Sequence, residues 1–346
     1  MNDLLLALLR FLLFDGENPL DSRPPLDNDA WQQLFDLSRR EAVTALTYDA
    51  VCKLPKEQRP PRRVLFHFVS VTQTVEQDNQ RREAALEHFA ERVQSALSLP
   101  TTVVKGSSLA RCYPVPLHRE CGDNDLLTAS DTASITALFE RQGIAIDRRN
   151  PRHAVLAFEG TTFELHNYLL YGAAEPQWNP RPFTGRPASL WHLPAAQEAF
   201  FLANQVEYRS AFFHEPATLR NLLDWSLLMR SPELDYEAFR RMAKGTHVEL
   251  FADLLSAYCA QCFSLTLPFD AARLASKRLM PADFERLYRQ LSPRHPRALV
   301  RVARRSWHYL RYGRKFRALY GQSMFRRFYL HNLLQALRQH FGHQAS

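Results

Sequence analysis

The chain has 346 residues, 46% of them hydrophobic and 23% charged, with 11 Gly and 21 Pro, which excludes collagen-like, low-complexity and disordered chains. A length of this order supports two or three units, each long enough to bury its own core. The net charge of +8 is local: residues 301–346 carry ten Lys/Arg and no Asp or Glu, and the first 300 residues carry 34 basic against 36 acidic side chains.

Residues 1–98 are expected to form an N-terminal helical region. The opening Leu4-Leu5-Leu6-Ala7-Leu8-Leu9 run follows an acid rather than a basic stretch and is broken by Arg10, so a buried helix is expected, neither a signal peptide nor a membrane span. Trp31, Leu34, Phe35 and Leu37 recur at helical spacing, as do Leu65, Phe68 and Val69, with Pro55, Pro60 and Pro61 marking a loop and a long helix running from Glu83 to Leu97. The texture changes at Leu99-Pro100. Residues 99–171 predict an α/β core: strands at 101–105 and 123–128, a helix over 131–142, then strands at 144–146, 153–158 and 161–169, with Glu159-Gly160 as the turn of a hairpin. Five prolines make 172–194 an irregular connector, and 195–346 predicts a C-terminal helical region with starts at Pro216 and Pro281 and a basic tail. The fold class expected is therefore α+β, a small mixed sheet flanked by helical regions.

The chemistry concentrates in the core. Side chains alternate along a strand, so Asp123 and Asp125 point one way and Asn124 the other. Two carboxylates so close repel unless a cation lies between them, and hard oxygen ligands suit Mg2+ or Mn2+, with Glu164 on a nearby strand as a third ligand. Gly106 and Ser107, at a strand-to-helix turn, offer backbone N–H groups and a hydroxyl to phosphate oxygens. The combination reads as a site for metal plus triphosphate.

Lys105-Gly106, Arg119, Gly122-Asp123-Asn124-Asp125-Leu126-Leu127 and Glu164-Leu165-His166, in that order, resemble the uncharacterised nucleotidyltransferases of the DNA polymerase beta-like superfamily. The leucine-rich opening helix and Leu219-Arg220-Asn221-Leu222-Leu223-Asp224 resemble the family's helical parts. This chain departs from the usual aliphatic residue by having Asn124, a polar group that needs a partner on the core side. The resemblance implies transfer of a nucleoside monophosphate from an NTP to an acceptor hydroxyl, the acceptor being RNA, protein or a small molecule. It implies that Asp123 and Asp125 ligate two divalent metals, with Glu164 completing the catalytic one, and that Gly106 and Ser107 hold the phosphates. It further implies that Lys105 and Arg119 offset phosphate charge and that His166 orients the acceptor.

Two other readings stand beside this one: a catalytically weakened member acting as a binding protein, and a glycosyltransferase using the Asp-x-Asp pair. Cys259-Ala260-Gln261-Cys262 has zinc-ligand spacing but lies in an apolar helix without a second pair nearby, so buried thiols are expected. Arg220 and Asp224, four apart, are expected to pair on a helix surface. In the tail, Trp307, Tyr309, Tyr312, Phe316, Tyr320, Phe325, Phe328 and Tyr329 alternate with Arg304, Arg305, Arg311, Arg314, Lys315, Arg317, Arg326 and Arg327. Over 301–327 that pattern suits either RNA binding or a closing helix pair whose aromatics pack inward. Five scattered cysteines make no disulfide framework, and a cytoplasmic location is expected.

Overall fold

The computed structural model describes residues 2–171, 174–213, 215–291 and 298–321. The chain opens with helices α1 (Asn2–Leu13), α2 (Asn28–Arg40), α3 (Thr44–Lys53) and α4 (Arg62–Leu97). In α1 the leucine run buries Leu4, Leu5, Leu8 and Leu9, a helical stripe one face wide. Asp27 starts α2 by accepting the Ala30 backbone N–H. Ser98, in the left-handed conformation, ends α4, and Leu99-Pro100 then requires extended chain.

A seven-stranded mixed sheet follows: β1 (Thr101–Val104), β2 (Asn124–Leu127), β3 (Ile146–Asp147), β4 (His153–Phe158), β5 (Thr161–His166), β6 (Arg181–Pro182) and β7 (Leu190–His192), with α5 (Gly106–Ala110) and α6 (Thr132–Glu140) between its strands. The order across the sheet is β3-β4-β5-β2-β1-β7-β6. β2 pairs parallel with β5 and antiparallel with β1. The β4–β5 hairpin turns at Glu159-Gly160, both residues having positive φ, as a two-residue turn between twisted strands requires. The span 172–194 is more regular than its prolines suggest. It supplies β6 and β7, and β7 is held parallel to β1, with Thr101 N donating to Ser189 O at 2.7 Å.

The remaining elements are helical: α7 (Ala195–Phe212), α8 (Leu219–Met229), α9 (Tyr236–Ala243), α10 (His247–Phe263), α11 (Ala271–Ser276), α12 (Pro281–Phe284, continued by a π-helical turn to Arg289) and α13 (Ala298–Arg311), with helix again over 313–321. The fold is thus α+β, the sheet lying between N-terminal and C-terminal helices.

Strand alternation gives the sheet two different faces. Val103, Leu126, Ala154, Leu156, Phe163 and Leu165 point into a core closed by α4 and α6, where the Phe89 ring stacks on both Phe139 at 4.5 Å and Phe163 at 4.6 Å. Val104 and Leu127 point the other way, toward a core that joins α1–α3 with the helices after residue 195. In the tail, Tyr309, Phe316 and Tyr320 are buried in this second core, and the Tyr288 and Tyr320 hydroxyls lie 2.7 Å apart. Within the described part of the tail, these three rings are therefore taken up by closing packing, while Trp307 is 67% exposed. Phe325, Arg326, Arg327, Phe328 and Tyr329 lie outside the described residues. Among the described residues no helix is long and apolar enough to cross a membrane.

Candidate active site

The candidate site occupies the sheet face opposite α4. Asp125 and Glu164 are direct cross-strand neighbours in the parallel β2–β5 pair, so their side chains share a face. Asp123 sits just before β2, two residues earlier, and reaches the same place. One carboxylate oxygen from each of Asp123, Asp125 and Glu164 lies within 4.8 Å of the others. The three carboxylates named from the sequence are therefore brought together.

A cation and a histidine already attend this cluster. Lys105 Nζ lies 2.7 Å from Asp125 Oδ2, and His166 Nε2 lies 2.8 Å from Asp125 Oδ1. Burial alone would raise the Asp125 carboxyl, but the Lys105 charge and the His166 hydrogen bond outweigh it and hold it well below the usual carboxylate range. Glu164 behaves oppositely: burial, then the charges of Asp125 and Asp123, push it up. Burial also lowers His166 to about 4 against the pull of Asp125, so its ring is neutral at pH 7 and Nε2–H donates to the carboxylate. The like-charge crowding expected from the sequence is present, and Lys105 offsets part of it. An all-oxygen set that is crowded and short of positive charge fits a hard divalent cation.

Lys105 reaches Asp125 because the chain turns sharply after β1. Lys105 has φ +59° and Gly106 φ +38°, the region where a glycine is least strained. A Cβ at Gly106 would come no nearer than 3.8 Å to the Asp123 carbonyl, so glycine is favoured there by backbone conformation rather than by space.

Beside the carboxylates lies a cleft of about 350 Å³, walled by Lys105, Gly106, Arg119, Gly122, Asp123 and Asp125 on the sheet side and by Gln205, Arg209, Ser210, Thr218, Arg220, Asn221 and Asp224 from α7 and α8. Ser107 is not brought to it: its hydroxyl donates to Glu83 on α4, and the side chain lines a different hollow. Arg119 does line the cleft, but its guanidinium is already held. Nε and Nη2 donate to the two oxygens of Asp224 at 2.7 and 2.8 Å, Nη1 points to Cys121 Sγ at 2.9 Å, and Tyr113 adds a third bond to Asp224. The expected pairing of Arg220 with Asp224 is not formed. Asp224 points inward to Arg119, and Arg220 donates to the Glu120 carbonyl at 2.8 Å.

Asn124 faces α4, where its Nδ2 lies 3.4 Å from the Arg82 carbonyl while its Oδ1 has no partner among the described residues. Cys259 is buried and Cys262 half-buried, both as free thiols, and burial raises both. Neither belongs to a metal-competent group among the described residues. Residue-level reading missed His153, which stands directly opposite His166 in the β4–β5 hairpin. The signal was available, since a two-residue turn at 159–160 fixes that register.

A family model described as "Uncharacterised nucleotidyltransferase" matches residues 27–264, more than half of the chain. No curated protein and no solved structure matches.

Proposed function

For a chain that belongs to the uncharacterised nucleotidyltransferase family, we propose transfer of a nucleoside monophosphate from an NTP to an acceptor hydroxyl at the carboxylates of β2 and β5. The observation that carries this reading is the convergence of Asp123, Asp125 and Glu164 on one sheet face, beside a cleft with Lys105, Arg209 and Arg220 in its walls. The three carboxylates would hold a divalent cation, Mg2+ or Mn2+. Once bound, such a cation polarises phosphate oxygens and lowers the pKa of a coordinated hydroxyl.

The chain's own groups do the rest. Lys105, freed from Asp125 when the site fills, balances phosphate charge as a flexible point charge. Gly106 lets the backbone pass close beneath the triphosphate. Arg119, fixed by Asp224, stiffens the cleft wall and presents one edge of its guanidinium to it. His166 is a positioning residue: its neutral ring aims Asp125 and leaves that carboxylate ionised. Ser107 contributes through its backbone N–H, its hydroxyl being held by Glu83.

The test is to incubate the full chain with each α-phosphate-labelled NTP, Mg2+ or Mn2+, and cell extract, and to ask which fraction becomes labelled. Label appearing in RNA, protein or a small molecule names the acceptor class and supports the reading. Tight NTP binding with no label transferred to any fraction marks a catalytically weakened member and contradicts it.

A further inference from the structure

We propose that this cation site is not lined by oxygen alone: His153 and His166 add two imidazole nitrogens beside Glu164, making a mixed-donor position that takes a first-row transition dication such as Mn2+, Co2+ or Zn2+ in preference to Mg2+. The inference rests on the nucleotidyl-transfer reading and specifies which cation that site is built for. The backbone brings the donors together. The turn at Glu159-Gly160 sets His153 directly across from His166, and Glu164, two residues before His166 on β5, shares their face. One donor atom from each of the three lies within 4.8 Å of the others.

The individual separations are those of neighbouring ligands around one ion. Glu164 Oε2 lies 3.4 Å from His166 Nε2 and 3.9 Å from His153 Nδ1, and His166 Nε2 ligates by giving up its 2.8 Å hydrogen bond to Asp125 Oδ1. Donors about 2.1 Å from a tetrahedral or octahedral ion stand about 3.0–3.4 Å apart, so only a small closure around Glu164 is needed. Glu164 belongs equally to the group it forms with Asp123 and Asp125. The oxygen-rich and nitrogen-bearing groups therefore share a carboxylate.

A second observation is independent of these separations. His153 Nδ1, the nitrogen nearest Glu164, is buried with no hydrogen-bond partner among the described residues, although buried ring nitrogens are normally satisfied; the unpartnered His166 Nδ1 is where that ring's proton moves when Nε2 ligates. At the outer edge of the His153 ring, Nε2 lies 3.5 Å from Asn150 Nδ2, which leaves Nδ1 toward Glu164. Imidazole suits the transition dications, whereas Mg2+ demands oxygen and keeps its waters.

The experiment loads the metal-free full-length protein with a single equivalent of Mn2+ and records electron spin-echo envelope modulation, alongside Mn2+ and Mg2+ titrations of wild type, His153→Gln and Asp125→Asn. The expected result is nitrogen modulation in wild type that weakens in H153Q, with Mn2+ affinity in that variant lower by about tenfold or more and Mg2+ affinity unchanged. Mn2+ bound with Asp125-dependent affinity but without nitrogen modulation would overturn the inference and leave nucleotidyl transfer standing. No divalent binding in wild type would overturn both. Should H153Q fail to fold, the wild-type spectrum decides alone.

Discussion

Asp125 and Glu164 are neighbours on adjacent strands, yet neutralising them is expected to move stability in opposite directions. Asp125 is held low in the folded chain, so its carboxylate contributes stability above its unfolded value of about 3.9, and that contribution is lost as pH falls through the folded value. Asp125→Asn leaves Lys105 and His166 facing an amide, and at pH 7 it should cost up to about 3 kcal/mol, the lower end for breaking a buried pair, since Lys105 retains some exposure. Glu164 is raised, so its ionised form opposes folding at neutral pH. Glu164→Gln should raise the Tm of the metal-free protein while abolishing transfer. Thermal melts of the two variants in chelator at pH 7 check both signs, and a Tm shift in the same direction for both would contradict the assigned electrostatics. His166, lowered to about 4 against about 6.5 unfolded, contributes stability that is complete above pH 6.5 and lost as pH falls toward 4. Across that window the stability of His166→Gln should depend on pH less steeply than wild type by about one proton, read from urea midpoints at several pH values.

At the level of elements, legibility followed the range of the interaction. The β4–β5 hairpin, the buried leucine helix α1 and the shared face of Asp123 and Asp125 all rest on residues close in sequence, and each could be read from period and turn chemistry. Glu164 is different: it could be named as a candidate third carboxylate on a nearby strand, but its place beside Asp125 depends on a parallel pairing between residues 39 apart, which no local pattern encodes. The same holds for Asp224. Its four-residue spacing to Arg220 suggested a helix-surface pair, but the tertiary fold turns it inward to Arg119, 105 residues away. β6 and β7 were hidden by prolines that suit an edge strand as well as a loop. The Arg119–Asp224 pair is a buried, two-bond link between the sheet side of the cleft and α8. Asp224→Ala should destabilise by about 3–5 kcal/mol by stranding a buried guanidinium, whereas Arg119→Met with Asp224→Leu should be far milder. Equilibrium urea unfolding of the single and double variants measures this, and equal losses would mean the pair itself, not the uncompensated charge, is what stabilises.

Across the whole molecule, the sheet cannot keep its shape without both sets of helices. The α4 face is closed by Phe89 stacked between Phe139 and Phe163, while the face that carries the carboxylates is backed by a core drawn from α1–α3 and the helices after residue 195. Residues 99–194 produced alone would expose both apolar faces and are expected not to fold, giving collapsed amide dispersion by NMR. A folded, dispersed spectrum would show that the sheet stands by itself. The basic tail is part of this arrangement as far as residue 321, since Tyr309, Phe316 and Tyr320 close the helical core.

The central claim is that Asp123, Asp125 and Glu164 support attack at the α-phosphorus of an NTP. Its most direct test compares α-labelled with γ-labelled NTP, in extract with Mn2+, for wild type and Asp125→Asn. The account predicts that wild type moves the α-label into an acceptor, that the γ-label leaves as pyrophosphate, and that D125N does neither. Transfer of the γ-label to the acceptor, or undiminished α-transfer by D125N, would contradict it.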